Sequence, residues 1–267
     1  MGKPLVSIIT PSYNQAEYLV ENLESVAAQR SNDYDLEHLV FDGGSTDGSL
    51  DVLRNCQGVT WVSEPDRGQS DAINKGFRAA GGEIIGWINS DDFYTRGAVA
   101  RVVSYFREHP DTKWIYGNCY FVDQNSRITG SYDARQFNLE RLLNFGDYIP
   151  QQSTFFRRDL LQTVGYLDES LHLAMDYDFW IRIGKSYTGV FLPDYLACFR
   201  RHSLAKTDRR AGEHWAEALA VSRRHGGQLF SRLYFRSRVQ AFYRMFPTRI
   251  RRLARHPRLE PLARRIR

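Results

Sequence analysis

Two adjacent carboxylates, Asp91 and Asp92, stand where an apolar run of the chain stops. The run reads "EIIGWI", and Asn89 and Ser90 separate it from the two acids. Paired carboxylates at the end of a strand suit a hard divalent cation, which takes oxygen ligands and keeps its other positions for water or phosphate. Acids are also favoured at helix N-termini, so a cap for the following helix is the alternative interpretation.

Polar residues end three earlier apolar segments in the same way. In chain order they are Thr10, Pro11, Tyr13, Asn14, Asp42, Glu64 and Asp66. An acid that ends a hydrophobic strand must be solvated in a cleft or bound to a ligand, so Asp42 is a candidate contact for a hydroxyl or a base. The segment "GGSTDG" after it matches neither the dinucleotide fingerprint nor the P-loop, which argues against a nicotinamide dehydrogenase and an ATPase.

Two further acids stand near the start of an aromatic segment, "AMDYDFWIRIGK". Residues two apart on a helix point to different sides, so one of Asp176 and Asp178 can face a cleft while the other caps or pairs. Asp176 is therefore a candidate general base for a reaction at a hydroxyl group. His202 alone is a surface histidine, but the basic cluster around it, with Arg200, Arg201 and Lys206, could hold a diphosphate.

The first hundred residues alternate apolar runs with amphipathic segments, and this alternation predicts the sheet that positions the candidate residues. Apolar runs predict strands at 4–10, 36–42, 59–66 and 83–92. Apolar residues at helical spacing predict helices at 15–29 and about 69–80, and the "GGSTDG" turn leads into another. The result is an open, doubly wound α/β layer whose ligands bind at the carboxyl ends of the strands.

The second half of the chain is mixed rather than alternating. Strands are predicted at 113–123, 126–132 and 189–202, a short helix at "FNLERLLNFG" and another at 174–185. We therefore expect part of the sheet to be antiparallel.

Composition indicates an ordinary globular protein of 267 residues, with 42% hydrophobic and 25% charged residues. Its three cysteines are widely spaced and form no CxxC pair, which indicates neither a disulfide framework nor a zinc site and favours a reducing cytoplasm. No apolar stretch approaches the roughly 18 residues needed to span a bilayer, so a soluble or peripheral protein is expected.

Charge is unevenly distributed along the chain. Residues 223–267 hold 14 Arg and one acid, a net charge of +13, which leaves −8 for residues 1–222 within the total of +5. Such asymmetry points to an anionic partner for the tail, either a membrane surface or nucleic acid.

Four segments in order resemble the family 2 inverting glycosyltransferases of the GT-A fold, in particular the bacterial members that build surface polysaccharides. The segments are "VSIITPSYNQAEYLVENLESVAAQ", "EHLVFDGGSTDGS", "SEPDRGQSDAINKGFRAAGGEIIGWINSDD" and "MDYDFWIRI". The resemblance runs from about Pro4 to about Lys206. Any one segment is weak, but the ordered set is specific.

The resemblance implies a fold, a domain plan and an activity. The fold would be GT-A, an α/β fold with a mixed, mostly parallel central sheet flanked by helices. Residues 1–210 would form the transferase domain, with a nucleotide-binding half at 1–100 and an acceptor half at 101–210, followed by a basic helical extension at 211–267. The enzyme would move a hexose from a nucleotide diphosphate sugar to an acceptor hydroxyl in surface polysaccharide or glycolipid synthesis, with Mg2+ or Mn2+ as cofactor.

The resemblance also assigns residues to the donor and the metal. The nucleotide-binding residues would be Thr10, Pro11, Tyr13, Asp42, Asp71, Asn89 and Ser90. Among them, Asp42 matches the acid that contacts the base. Asp91 matches the principal metal ligand of the Asp-X-Asp motif, with help from Asp92 or His202.

The catalytic base of the family falls on Asp176, and the acceptor side on the segment "IPQQSTFFRR". Gln151 and Gln152 would touch substrate there, and Lys206 would face the diphosphate. Two residues depart from the family pattern. Asn89 replaces the first acid of Asp-X-Asp, so metal binding would depend on Asp91 and the diphosphate, and Met175 replaces the glutamate before the base.

Three alternatives to a transferase remain at this stage. A sugar-nucleotide pyrophosphorylase would share the layer and the metal, but a glycine-rich N-terminal loop with a following Arg and Lys is missing. A non-catalytic nucleotide-sugar binding protein would use the same cleft. A nucleic-acid binding protein would explain the tail but would place the acidic body beside phosphates, so no nucleic-acid partner is expected.

The basic tail interleaves aromatic and aliphatic residues with arginine, which is typical of a helix on anionic lipid. We therefore expect a cytoplasmic protein that binds the inner face of the plasma membrane peripherally and uses a glycan or lipid-linked acceptor. The alternative is that the apolar residues of the tail pack on the body. They are Leu229, Leu233, Phe235, Val239 and Phe242.

Overall fold

A mixed sheet runs through the centre of the molecule. The computed structural model describes residues 2–202 and 210–245. The strands are β1 (Leu5–Ser12), β2 (Asp35–Asp42), β3 (Thr60–Ser63), β4 (Ile84–Trp87), β5 (Phe93–Tyr94), β6 (Trp114–Val122), β7 (Ile128–Tyr132), β8 (Thr154–Arg157) and β9 (Val190–Arg200).

Helices cover both faces of this sheet. They are α1 (Ala16–Ala27), α2 (Ser49–Asn55), α3 (Gln69–Ala79), α4 (Ala98–Glu108), α5 (Leu139–Phe145), α6 (Leu160–Val164), α7 (Met175–Ser186), α8 (Ala211–Arg224) and α9 (Arg232–Met245). A short 3-10 turn, Gln151–Ser153, precedes β8.

The strand order is β3-β2-β1-β4-β8-β6-β9-β5, with β7 paired to β6. Strands β1 to β4 pair in parallel, so their carboxyl ends lie at one edge. Strand β8 runs antiparallel to β4 and β6, whereas β9 is parallel to β6. The predicted mixed sheet is confirmed, because the second half combines these antiparallel pairs with the parallel pair of β6 and β9.

Strand β1 holds the centre of the parallel layer because its apolar run has partners on both sides and helices on both faces. Ile8 and Ile9 are fully buried. Helix α3 lies so close to β1 that a Cβ atom at Gly76 would sit 2.3 Å from Cγ2 of Ile9. Only glycine permits this approach without a shift of the helix or the strand.

Two elements differ from the prediction. Strand β4 ends at Trp87 instead of continuing to the acids, because residues 89–92 form a turn in which the amide of Asp92 donates to the carbonyl of Asn89 at 3.0 Å. Helix α4 was not predicted, although its valine-rich face is fully apolar and buried.

The described part of the predicted extension, residues 210–245, shares its core with the body. Ala218 and Val221 of α8 and Leu233 of α9 are buried in the same apolar cluster as Trp180. The boundary at residue 210 stays a prediction. No helix among residues 2–202 and 210–245 has the length and apolar character to cross a membrane.

Candidate active site

The carboxyl ends of β1 and β2 carry two loops that are bonded to each other. The amide of Asn14 donates to Oγ of Ser45 at 2.7 Å, and the amide of Thr46 donates to Oδ1 of Asn14 at 2.8 Å. Asn14 adopts φ of 51°, a left-handed conformation that asparagine tolerates better than most residues. These contacts fix the adjacent Tyr13, whose ring is 62% exposed.

Tyr13 borders a narrow slot at Gly43. A Cβ atom at Gly43 would lie 2.6 Å from Oδ2 of Asp66 and 3.3 Å from Cδ2 of Tyr13. An exposed aromatic face beside a glycine and a carboxylate can hold a planar group that also donates hydrogen bonds. The nucleoside contact of Tyr13 stays a prediction, and Pro11, predicted with it, is buried.

Asp42 is buried, and both of its carboxylate oxygens accept hydrogen bonds. Oδ2 accepts from the amides of Gly44 at 3.0 Å and Ser45 at 2.8 Å and from the hydroxyl of Ser63 at 2.7 Å, while the Ser45 hydroxyl donates to Oδ1. Asp42 therefore shapes the turn after β2, and a base that it contacts must share these oxygens.

Thr10 lies behind the site rather than in it. Its hydroxyl is 2.9 Å from Nε2 of His38 and donates to Oδ1 of Asn22 at 3.4 Å. Asn22 in turn donates to the carbonyls of Asn89 at 3.0 Å and Asp92 at 2.9 Å. Asn22 was missed from the sequence, although an asparagine on the apolar face of α1 is the signal that could have found it.

Asp92 holds the 89–92 turn from inside. It is 1% exposed, its Oδ1 accepts from the amide of Arg200 at 2.8 Å, and its Oδ2 accepts from Nε2 of Gln152 at 2.9 Å. Burial, reinforced by the charge of Asp91, raises the pKa of Asp92 well above its usual range. The geometry gives Asp92 a structural part and leaves metal binding to other groups.

Asp91 and His202 form a pair in which the Asp91 side chain is partly exposed and the His202 side chain, at 3% exposure, is buried. Oδ2 of Asp91 is 3.1 Å from Nε2 of His202, and the Asp91 side chain is 18% exposed. The His202 ring packs on Tyr18 at 4.8 Å between centroids, and its buried Nδ1 has no hydrogen-bond partner among the described residues.

The chemistry of this pair fits a divalent ion that a ligand completes. One carboxylate oxygen and one imidazole nitrogen are donors that Mn2+ accepts, and Mg2+ accepts the carboxylate. The described part of the chain contains no group of three or more His, Cys, Asp or Glu residues that could hold a metal. An ion held by Asp91 and His202 therefore needs phosphate oxygens to fill its shell.

Arg200 is not available to a diphosphate, so that expectation is wrong. Its side chain is 1% exposed and donates from Nε to the carbonyl of Asp91 at 2.9 Å, with further bonds to the carbonyl of Asp123 at 3.1 Å and to Glu21. Lys206 lies outside the described residues.

A cavity of about 520 Å³ opens beside His202 and is lined by Val122, Asp123, Gln124, Asn125, Thr129 and Arg201.

Gln151 and Gln152 reach the 89–92 turn from the 3-10 turn before β8. Nε2 of Gln151 donates to the carbonyl of Trp87 at 2.6 Å, and its Oε1 accepts from Nδ2 of Asn89 at 3.3 Å. Both glutamines are buried, as is Ser90. The two glutamines support the 89–92 turn from the predicted acceptor side. Asn89 is half-buried at the surface of this turn.

Asp71 lies in the first turn of α3 and is 4% exposed. Oδ2 accepts from the amide of Arg67 at 3.1 Å, Oδ1 pairs with its guanidinium at 3.0 Å, and Lys75 lies 3.5 Å away. Burial opposes ionisation, but the bonds from Arg67 and the charge of Lys75 outweigh it and lower the pKa of Asp71. Asp71 is thus an ionised acid committed to local pairing.

The first turns of α3 and α7 lie close together on one face of the sheet. The hydroxyl of Ser70 donates to the carbonyl of Leu171 at 3.2 Å, just before α7 begins. Further along α7, the ring of Trp180 stacks on Trp87 at 5.8 Å. The start of α7, with Asp176, is therefore held near the carboxyl end of β4.

The two acids of α7 point to different surroundings, as predicted. Asp178 is 2% exposed and bonds Arg182 and His225, each at 2.8 Å. Asp176 is half-buried, and its Oδ1 accepts from the amide of Tyr177 at 2.8 Å. Asp176 is the member of the pair that can meet a ligand.

Burial raises the pKa of Asp176, and the charge of Glu217 adds to the rise, while the Tyr177 amide and the charge of His214 oppose it. A second half-buried acid, Asp147, was missed because it lies in no periodic segment. Burial, followed by the charge of Asp176, raises the pKa of Asp147 well above its usual range.

Comparisons with known proteins identify the family. The profile described as glycosyl transferase family 2 matches residues 7–165. A "PGL/p-HBAD biosynthesis glycosyltransferase" of Mycobacterium bovis is 34% identical over 188 residues, which cover 68% of this chain and 70% of that protein.

Two solved structures share the fold. The S. aureus TarS fragment 1–349 in complex with UDP-GlcNAc has a TM-score of 0.64 at 20% identity, over 81% of this chain and 66% of that one. The mannosyltransferase PcManGT of Pyrobaculum calidifontis, in complex with GDP-Man and Mn2+, has a TM-score of 0.62 at 19% identity, over 98% of this chain and 84% of that one.

These findings confirm the predicted GT-A type of mixed α/β fold and the resemblance read from the four segments. The profile covers more than half of the chain, and the mycobacterial relative exceeds 30% identity over two thirds of it. The chain therefore belongs to glycosyl transferase family 2 and is a glycosyltransferase.

Proposed function

We propose that the protein transfers a sugar from a nucleoside diphosphate sugar to an acceptor hydroxyl, with inversion at the anomeric carbon. The observation that carries this proposal is the pair of the partly exposed Asp91 and the buried His202 beyond the carboxyl end of β4, combined with Asp176 at the start of α7. The S. aureus and P. calidifontis structures, which hold UDP-GlcNAc and GDP-Man, support a donor of this class.

In this proposal the donor's base lies against Tyr13 in the slot at Gly43, within reach of Asp42 and Asp66. Thr10 and Asp71 act behind the site. The hydroxyl of Thr10 supports the 89–92 turn through Asn22, and the charge of Asp71 holds the loop that leads into α3.

Asp91 and His202 would hold Mg2+ or Mn2+, and the bound ion would neutralise the charge that develops on the departing diphosphate. The chain's own part is to present these two side chains on a rigid corner. Asp92 and Gln152 provide that rigidity, because their bonds hold the turn and the end of β9 together. Lys206, predicted near the diphosphate, remains part of the proposal.

Asp176 would act as the general base. It accepts the proton of the acceptor hydroxyl while the acceptor oxygen bonds to the anomeric carbon and the bond from that carbon to the diphosphate oxygen breaks. The raised pKa of Asp176 makes it a stronger base than an exposed aspartate. Attack from the side opposite the leaving group produces inversion.

The acceptor would be a glycan or a lipid-linked molecule, which the protein meets at the inner face of the plasma membrane. Residues at the start of the C-terminal region support contact with lipid. Leu229 is 67% exposed, Phe230 is 74% exposed and Phe235 is 56% exposed, and the tail around them is strongly basic. Apolar side chains beside arginines suit an anionic bilayer surface.

A screen of nucleotide sugars by thermal unfolding with Mn2+ tests the proposed donor class. A ligand that binds only the folded state raises the apparent melting temperature. At a free ligand concentration of 100 times the Kd, the free energy of unfolding increases by about 2.7 kcal/mol. We expect one nucleoside diphosphate sugar to raise it and to be consumed with release of the nucleoside diphosphate. Consumption of the nucleotide sugar only with added pyrophosphate, with release of a nucleoside triphosphate and a sugar 1-phosphate, would indicate a pyrophosphorylase instead. Binding without turnover would indicate a binding protein.

A further inference from the structure

Helix α8 crosses the start of α7 and places a carboxylate on it. Oε1 of Glu217 accepts hydrogen bonds from three successive amides, those of His172 at 2.9 Å, Leu173 at 2.7 Å and Ala174 at 2.8 Å. Helix α7 begins at the next residue, Met175. The carboxylate thus binds where amides have no partner within the helix and where the helix dipole favours a negative charge.

Asp176 is two residues beyond this contact, in the first turn of α7. Its backbone position depends on where the helix begins, and residues 172–174 fix that point. Ala174, the residue before the helix, has φ of −130° and its side chain makes no capping hydrogen bond. Glu217 accepts instead from the amides of residues 172–174, so it fixes the segment that leads into the first turn of α7.

Helix α8 is itself held firmly against the body. Ser222 donates to the carbonyl of Leu143 at 2.7 Å, and His225, just after the helix, bonds Asp178 of α7 at 2.8 Å. Arg224 pairs with Asp168 at 2.7 Å. A carboxylate on a docked helix can fix a loop, whereas one on a mobile segment could not.

We propose that Glu217 is a positioning residue for Asp176. It holds residues 172–174 in place and thereby fixes the first turn of α7. This inference rests on the proposed function, in which Asp176 is the base. It assigns the first helix of the C-terminal region a part in catalysis, separate from any contact of the later residues with lipid.

The test compares Glu217→Ala and Glu217→Gln with a matched control, Glu213→Gln. Glu213 lies one turn earlier on α8, is exposed and pairs with Arg210. Steady-state rates are measured on the full chain with the nucleotide sugar found by the thermal screen. Glu217→Ala is expected to lower kcat roughly 10- to 100-fold, because a small displacement of a reacting group costs about this much.

The KM for the donor should stay unchanged, because α8 does not touch the nucleoside slot or the Asp91 corner among the described contacts. Glu217→Gln keeps an acceptor oxygen and should retain more of kcat than Glu217→Ala. The Glu213→Gln control should behave as the wild type. Because a partly unfolded sample would also lower the apparent kcat at constant KM, kcat is expressed per donor-binding site, and the pH profile supplies a readout that a loss of folded protein does not move.

The pH profile gives a second readout. The charged groups that face Asp176 are Asp147, His214 and Glu217, and the Tyr132 hydroxyl is also close enough for Asp176 to raise its pKa. Only the charge of Glu217 is lost in Glu217→Gln. Its loss lowers the pKa of Asp176, so the acidic limb of the kcat profile should move to lower pH.

The outcomes separate this inference from the proposed function. An inactive Asp176→Asn variant together with wild-type kcat and pH profile in both Glu217 variants would overturn the inference alone. An active Asp176→Asn variant would overturn both. If Glu217→Ala does not fold, Glu217→Gln decides, and an unchanged kcat with an unmoved acidic limb would reject the positioning role.

Discussion

Two neighbouring acids of the same type have different parts in the 89–92 turn. Asp92 is 1% exposed and bonded through both oxygens, whereas the side chain of Asp91 is 18% exposed and faces His202. The difference arises because Asp92 points back towards Arg200 at the end of β9. A buried, bonded acid gives the turn its shape, and its exposed neighbour remains for a ligand.

Asp147 and Asp176, on the α7 side of the site, lower the stability of the folded protein when they are ionised. A folded pKa above the unfolded value means that the native state binds protons more tightly than the unfolded chain. For Asp147, whose ordinary value is 3.8, the free energy of unfolding therefore falls as pH rises above about 4. The carboxylate is retained in spite of this penalty, which is typical of functional positions.

Asp147→Asn should raise the free energy of unfolding at pH 7 by about 1 kcal/mol, since it removes the buried charge. Asparagine keeps the oxygen that accepts from the amide of Ile149 at 2.9 Å. Chemical denaturation at pH 4 and pH 7 measures the effect, which should disappear at the lower pH. Equal destabilisation at both values would contradict it, and exposed Asp111→Asn serves as the control.

Helix α9 and the residues before it separate their apolar side chains into two groups. Leu233 is fully buried in the core, whereas Leu229, Phe230 and Phe235 are more than half exposed and Val239 is 36% exposed. The side chain of Phe242 lies outside the described set. Packing on the body therefore holds for Leu233, whereas contact of the exposed side chains with lipid stays a proposal.

The double variant Phe230→Ser/Phe235→Ser should lose most of its binding to anionic vesicles. Burial of one large apolar side chain is worth about 1.5–3 kcal/mol, so the partition coefficient should fall at least about tenfold. Vesicle flotation with phosphatidylglycerol or with phosphatidylcholine alone measures this fall and its dependence on charge.

The matched control is Val62→Ser/Ile128→Ser, which removes apolar side chains that are 42% and 62% exposed elsewhere on the surface. It should float as the wild type does. Equal flotation of both double variants and the wild type, or equal binding to neutral vesicles, would reject the lipid surface on α9.

Periodicity predicted most helices and strands because the core selects apolar residues at spacings of two or 3.6. It placed α7 and β9 within a residue or two of their observed bounds. It could not give the pairing of β8 between β4 and β6, since that pairing depends on side chains far apart in the chain. The short β5 has only two residues and leaves no pattern to detect.

The same limit applies to the site as a whole. Acids at strand ends were visible in the sequence, because carboxylates interrupt apolar runs. The groups that support them were not, because Asn22 and Glu217 reach the site from distant segments, and Arg200 was assigned to a diphosphate instead. Sequence reasoning thus found residues that face a ligand and missed those that hold them in place.

At the scale of the molecule, an acidic body, residues 1–222, is followed by a basic tail of opposite charge, residues 223–267. The parallel half of the sheet presents Tyr13 and Asp91, and the second half contributes Asp176 and His202. Helix α8 ties the C-terminal region to α7. The proposed catalytic step, proton removal by Asp176, would depend on all these parts being assembled.

Release of nucleoside diphosphate from the nucleotide sugar identified by thermal unfolding tests this step most directly. The wild type and Asp111→Asn should turn over equally, whereas Asp176→Asn should be slower by at least about 100-fold, the usual contribution of a general base. Asp176→Asn should still show the full thermal shift with the donor, because Asp176 does not form the nucleoside slot. The account would be contradicted if Asp176→Asn turned over within about threefold of the wild type, because so small a difference in rate is too little for the loss of a general base.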